Sequence, residues 1–104
     1  MAGSVLEDEL GFQLKAVGLE PEREYRFCER RWRLDFAFPA VKVGVEIQGG
    51  IYSHGRHVRG AGYEHDMEKA NCAVLLGWKV LQFSPAMVRD GRAVAVICEC
   101  LKVV

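Results

Sequence analysis

Residues 32–50 read WRLDFAFPAVKVGVEIQGG, two short strands joined by a turn. In Arg33–Phe38, Leu34, Phe36 and Phe38 alternate with Arg33, Asp35 and Ala37, the period-2 pattern of a half-buried strand. Pro39-Ala40 interrupts it, because proline donates no backbone hydrogen bond. Val41–Ile47 then resumes, with Val41, Val43, Val45 and Ile47 on one face and Lys42, Gly44, Glu46 and Gln48 on the other. Gly49 and Gly50 end the strand and allow a sharp turn. Paired as a hairpin, the strands project Asp35 and Glu46 from their polar faces. An acidic pair in strands this hydrophobic is costly unless a cation sits between them. A hard divalent metal is the usual answer.

On the N-terminal side, Ser4–Val17 reads as a helix with Leu6, Leu10, Leu14 and Val17 at helical spacing and Gly18 as its stop. Ser4 and Glu7 fit a capping box. Glu7 therefore reads two ways, as a cap or as an acid facing a site, and Glu9 is the other acid that could face one. A strand over Glu24–Cys28 follows, and Glu29-Arg30-Arg31 connects it to the central pair. On the C-terminal side, Tyr63–Leu76 reads as a second helix with Met67, Ala70 and Val74 on its apolar face and Gly77 closing it. Trp78–Phe83 is apolar on both faces, the mark of a central strand covered on two sides. Ala86–Val88 reads as a turn, and a last helix starts at Arg89 or Asp90 with Val94, Ile97, Cys98 and Leu101 on one face. The element order is α-β-β-β-α-β-α in one domain, residues 1–104.

Composition sets the class. The chain has 104 residues, half of them hydrophobic, and a net charge of zero, which describes an ordinary globular domain with a modest core. No apolar run is long enough to span a membrane, and the N-terminus lacks a charged-then-apolar signal. Cys28, Cys72, Cys98 and Cys100 have no zinc spacing and read as packing thiols in a reducing cytoplasm. A neutral chain has no broadly basic coat, so a nucleic-acid partner would have to meet a local patch.

Two such patches are present. Arg23, Arg26, Arg30, Arg31 and Arg33 crowd the first hairpin among glutamates, and read either as a solvated, salt-bridged edge or as a phosphate-contacting one. Residues 51–62, IYSHGRHVRGAG, hold His54, Arg56, His57 and Arg59 with no acid, which suits an anionic polymer passing over a metal site. The Gly-Lys-Ser/Thr ending of a phosphate-cradling loop is missing.

In order, a helix glutamate, a hairpin ending D-F-A-F-P, a strand V-E-I-Q-G-G, then G-R-H-V-R-G, a helix and G-W-K-V-L-Q-F resemble the PD-(D/E)xK nuclease superfamily over roughly residues 4–88. Within it the chain is similar to small stand-alone endonucleases related to very-short-patch repair enzymes and to phage Holliday-junction-resolvase-type proteins. The resemblance implies an α/β fold with a restriction-endonuclease-like core, a central mixed sheet flanked by helices. It implies a Mg²⁺-dependent DNA endonuclease, with Mn²⁺ able to substitute, acting on duplex or branched DNA in a bacterial or phage-infected cytoplasm. Asp35 and Glu46 match the two metal-binding acids, Glu7 the helix glutamate, and the Ile47 carbonyl a further oxygen ligand. DNA contacts fall to Arg30, Arg31, His54, Arg56, His57 and Arg59.

The lysine two residues past the second acid is replaced by Gln48, whose amide can orient a water but carries no charge. A cation from elsewhere is then expected, and Lys69 is one candidate, with His57 and Arg59 as others. Whether Lys69 points at the site depends on which face of its helix meets the sheet. A non-catalytic DNA-binding or interaction module on the same fold is the rival reading. Two symmetric cuts would need a homodimer, for which the last helix offers a second apolar set in Ala93, Val96, Cys100 and Val103.

Overall fold

A computed structural model describes residues 5–48 and 61–102. The elements are α1 (Val5–Ala16), β1 (Glu22–Arg26), β2 (Arg33–Phe38), β3 (Val43–Ile47), α2 (Ala61–Leu75), β4 (Lys79–Phe83), α3 (Pro85–Arg89) and α4 (Arg92–Leu101). The strands form one mixed sheet in the order β1-β2-β3-β4. β1, β2 and β3 are an antiparallel meander, and β4 lies parallel to β3 after the crossover through α2. Among the described residues no helix is long and apolar enough to cross a membrane.

Each face of the sheet has its own core. On one, Leu10, Leu14, Phe36, Val45, Phe83, Val88, Ala93 and Ile97 join α1, α3 and α4 to the strands. On the other, Phe27, Leu34, Ala37, Ala73 and Trp78 lie under α2. Gly44 is the close-approach point of this second core: a Cβ there would sit 2.5 Å from Leu34 Cδ1, so only glycine leaves room for the leucine. The stop of α1 is as the sequence reads it. Gly18 takes φ +87°, and the Leu19 N–H donates to the Leu14 carbonyl at 2.9 Å, closing the helix end.

Several elements differ from their sequence reading. The first strand is Glu22–Arg26 rather than Glu24–Cys28, so Cys28 lies in the connection to β2. The second strand of the central pair starts at Val43, because Phe38 to Lys42 is consumed by a turn in which Lys42 adopts φ +56°. The segment at 86–88 is helical. Ser84 caps α3 by accepting a hydrogen bond from the Met87 N–H at 3.3 Å, and Pro85 opens it, a pairing that suits a helix start as well as a strand end. The last helix therefore begins at Arg92, after Gly91.

β4 is covered on both faces as expected but stands at the edge of the four-stranded sheet, not in its centre. The second apolar set of α4 does not stand apart: Ala93 is fully buried in the monomer core, and Val103 lies outside the described residues. The largest difference is in α2, which starts at Ala61 and turns Lys69, Cys72 and Ala73 inward. Its Met67–Val74 stripe faces solvent.

Candidate functional site

The meander does more than carry apolar side chains. Strict alternation would put Leu34 and Phe36 on one face, yet Leu34 packs under α2 and Phe36 packs under α1. The same swap occurs across the ladder. Arg23, opposite Phe36, lies over that ring with its guanidinium carbon 5.6 Å from the centroid, while Tyr25, opposite Leu34, packs against Trp78 at 5.6 Å. Between these pairs stand Glu24 and Asp35, cross-strand neighbours at the point where the faces exchange. Glu24 takes φ +52°, a left-handed backbone that is uncommon for a side chain other than glycine, asparagine or aspartate. The two carboxylates are thereby drawn out of the normal in-and-out pattern.

Asp35 also sits where β2 leaves β3. The paired residues of these strands run only from Phe36–Val45 to Phe38–Val43. Beyond them the Asp35 carboxylate takes the place of a ladder carbonyl, its Oδ2 accepting a hydrogen bond from the Ile47 N–H at 2.8 Å. Ile47 thus reaches the site through its backbone N–H, which orients Asp35.

α1 brings in Glu7. Its side chain is only 6 % exposed, and Oε2 accepts from Arg23 Nε at 3.1 Å, while Arg23 Nη2 reaches Asp8 at 2.8 Å. Of the two α1 acids, Glu7 is buried in this acidic group and Glu9 is half-buried outside it. Carboxylate oxygens of Glu7, Glu24 and Asp35 all lie within 4.8 Å of one another, so this cluster could hold a metal ion. The electrostatics agree. Burial, then a hydrogen bond with Glu24, push the Glu7 carboxyl up to about 7 against the opposing pull of Arg23. Burial also raises Asp35, with the Ile47 N–H bond working the other way. Three carboxylates with Arg23 as their bonded cation are short of positive charge. An all-oxygen donor set of this kind fits a hard divalent cation.

The third strand supplies Glu46, a short step from Asp35. Its carboxyl is raised by burial and held down by Lys69, with which it forms an ion pair. The lysine and glutamate side chains are 20 % and 17 % exposed. Lys69 comes from the inward face of α2, one turn before Cys72 and Ala73, and its charge is also felt by Asp35. Gln48, at the end of β3, is exposed and tied to β4 through its backbone N–H, which donates to the Phe83 carbonyl at 2.8 Å.

The structure thus brings together Glu7, Asp35, Glu46, Ile47 and Lys69 from the sequence reading. It adds Glu24 and Arg23. Glu24 was legible in principle, since pairing the hairpin around its connection sets it opposite Asp35. Of the expected DNA contacts, Arg31 is exposed, and Arg30 stacks at 4.1 Å over the Trp32 ring and approaches Glu68 at 4.0 Å. His54, Arg56, His57 and Arg59 lie outside the described residues. Arg26 donates to the carbonyls of Glu29 (2.6 Å) and Arg30 (2.9 Å) and so braces the turn that presents the arginines. Set against known protein families, curated proteins and solved structures, the chain matches none of them.

Proposed function

We propose that this chain is a divalent-metal-dependent DNA endonuclease built on a restriction-endonuclease-like core, with structured or branched DNA as its substrate. One observation carries the reading. Carboxylates from α1, β1 and β2 gather within 4.8 Å of one another at the fork between β2 and β3, and Glu46 on β3 is paired with a lysine returned by the helix that follows. Acids gathered this way suit a hard cation, and a lysine beside them suits a phosphate.

Glu7, Glu24 and Asp35 would hold Mg²⁺, for which Mn²⁺ could substitute, with Glu46 and its lysine beside them. When bound, the metal supplies a water acidic enough to attack at neutral pH and positive charge at the phosphodiester. The chain's own residues do the rest. The Ile47 N–H fixes the Asp35 carboxylate, and Arg23 fixes Glu7, so neither acid has to be reoriented for the reaction. Lys69 holds a cation at Glu46, where a lysine two residues later on the strand is replaced by Gln48. A cation there stabilises negative charge developing on the phosphate. The Gln48 amide can orient a water, with its backbone pinned to β4. Arg30 and Arg31 on the braced hairpin turn, together with the basic residues at 54–59, contact the DNA phosphates. Such contacts position the duplex without reading sequence.

The test is cleavage of supercoiled plasmid, hairpin and four-way-junction DNA by the purified chain, with Mg²⁺ and with chelator. Nicking or junction resolution that needs the metal and is lost in Asp35→Asn supports the reading. Intact substrates in both Mg²⁺ and Mn²⁺, with DNA still bound, would favour a binding module on the same fold.

A further inference from the structure

The stripe Tyr63, Met67, Ala70 and Val74 is spaced four, three and four residues apart, so it forms one straight seam along α2. The helix does not use it to fold. Its inward face is Lys69, Cys72 and Ala73, which is turned away from the stripe. Tyr63, Met67 and Val74 remain 43 %, 46 % and 70 % exposed, and Leu75, beside the end of the seam, is 85 % exposed. Val41 (58 %) and Leu76 (41 %) are also exposed near the end of α2, where Lys42 Nζ donates to the Leu76 carbonyl at 3.0 Å. Exposed apolar residues repeated along one helix face mark an interaction site rather than scattered exposure.

Charge selects the occupant and its direction. The first half of α2 carries Glu64, Asp66 and Glu68, and its last turn has no basic residue. The cation at the far end is Lys42, at the last carbonyls. A second copy packed antiparallel sets Glu64 of each helix near the end of the partner helix where Lys42 sits, and opposes the two helix dipoles favourably. A parallel copy would set acids against acids. The 4-3-4 spacing is that of knobs-into-holes packing, in which the same stripe on two helices is self-complementary under a two-fold axis.

We infer that the outward face of α2 is a homodimer seam, in which Tyr63, Met67, Ala70 and Val74 pack against the same residues of an antiparallel second copy. This does not depend on the nuclease reading. Its bearing on the site is geometric: the seam would clamp the helix whose opposite face carries Lys69 to Glu46, and would relate the two acidic sites by a two-fold axis.

The experiment is light scattering and sedimentation velocity on the full chain from low micromolar to several hundred micromolar. The mass should move from 11.7 kDa towards twice that value with concentration. The double substitution Met67→Glu with Val74→Glu should hold the chain monomeric throughout with an unchanged far-UV circular dichroism spectrum. Glu64→Lys and Lys42→Glu should each weaken association by up to roughly fivefold per contact, felt twice across the axis. Combining them should restore it. A monomer at every concentration overturns the seam, as does a dimer indifferent to the glutamates at 67 and 74. Charge reversals that merely add, with no rescue, overturn the antiparallel arrangement.

Discussion

The two ends of the acidic site are built from the same residue type and reach different electrostatic solutions. At Glu46 the chain provides its own counter-charge, Lys69, and the pair is part-buried. At Glu7, Glu24 and Asp35 three carboxylates crowd within 4.8 Å, and Arg23, already shared with Asp8, is the cation bonded to them. Burial raises the carboxyls at both ends; a lysine bond pulls back at Glu46, an arginine bond at Glu7, and Lys69 acts on Asp35 from a distance. The contrast locates where positive charge is still wanted. An ion pair is complete without a ligand, whereas a three-acid cluster is stabilised by what binds it.

The most severe way to break the contrast is Asp35→Asn, which removes the charge shared by both ends. Mg²⁺-dependent cleavage should fall at least about a thousandfold, near 4 kcal/mol of transition-state stabilisation, with the circular dichroism spectrum intact. Turnover close to the parental rate would remove Asp35 from the chemistry. Metal addition sharpens the same comparison without any activity readout. Mg²⁺ or Ca²⁺ at about a hundred times its dissociation constant should stabilise the folded chain by about 2.7 kcal/mol. The gain, read as a rise in Tm, should vanish in a Glu7→Gln, Asp35→Asn double variant and persist in Lys69→Ala.

Lys69→Ala makes the compensated end resemble the other one. The expected cost is at least a tenfold loss of cleavage rate, about 1.4 kcal/mol, with DNA affinity little changed. Gln48→Lys in that background should recover part of the rate. Parental kinetics in Lys69→Ala would shift the search for a cation to the basic residues at 54–59.

A last effect is on pH dependence without metal. The folded Glu7 carboxyl lies at about 7, against an unfolded value near 4.5. Protonated Glu7 therefore favours the folded state. That contribution is fully present below about 4.5 and is lost as pH rises through 7. Asp35 and Glu46, also raised, act with the same sign. In chelator, denaturant midpoints should drop between pH 5 and 7, by no more than about 1.4 kcal/mol per pH unit for one group. Glu7→Gln should flatten the slope, and a wild-type slope of opposite sign would mean Glu7 is charged and well paired.

Alternation in residues 33–47 was enough to place Asp35 and Glu46 on neighbouring strands, because short strands with one buried face have few registers available. It could not show the exchange of faces at Glu24 and Asp35, since that depends on a positive φ that no residue type at 24 announces. In α2 the periodicity was real, but it left open which surface of the helix meets the sheet. The apolar stripe is outside, and the inward face is two small residues and the stem of a lysine, a composition that reads as polar. Apolar spacing identifies a face that wants burial; it does not say whether the monomer provides it. Ser84-Pro85 carried a strand-end reading and a helix-start reading in the same two letters, and the length of α3 is too short for periodicity to decide.

The connectivity of the sheet also sets an order of assembly. β1, β2 and β3 pair with chain neighbours across short turns, whereas Val43 finds Lys79 only after the chain has travelled through α2. Closing short loops costs less entropy than closing long ones, so the transition state for folding is expected to be weighted towards the meander. Glu24, Asp35 and Glu46 are therefore assembled by the fast, local part of the chain, and Lys69 arrives with the slow, distant part. The mutual repulsion of the acids then falls on the early steps and its relief on the late ones, so this corner of the sheet is expected to slow folding as well as to form the proposed metal site.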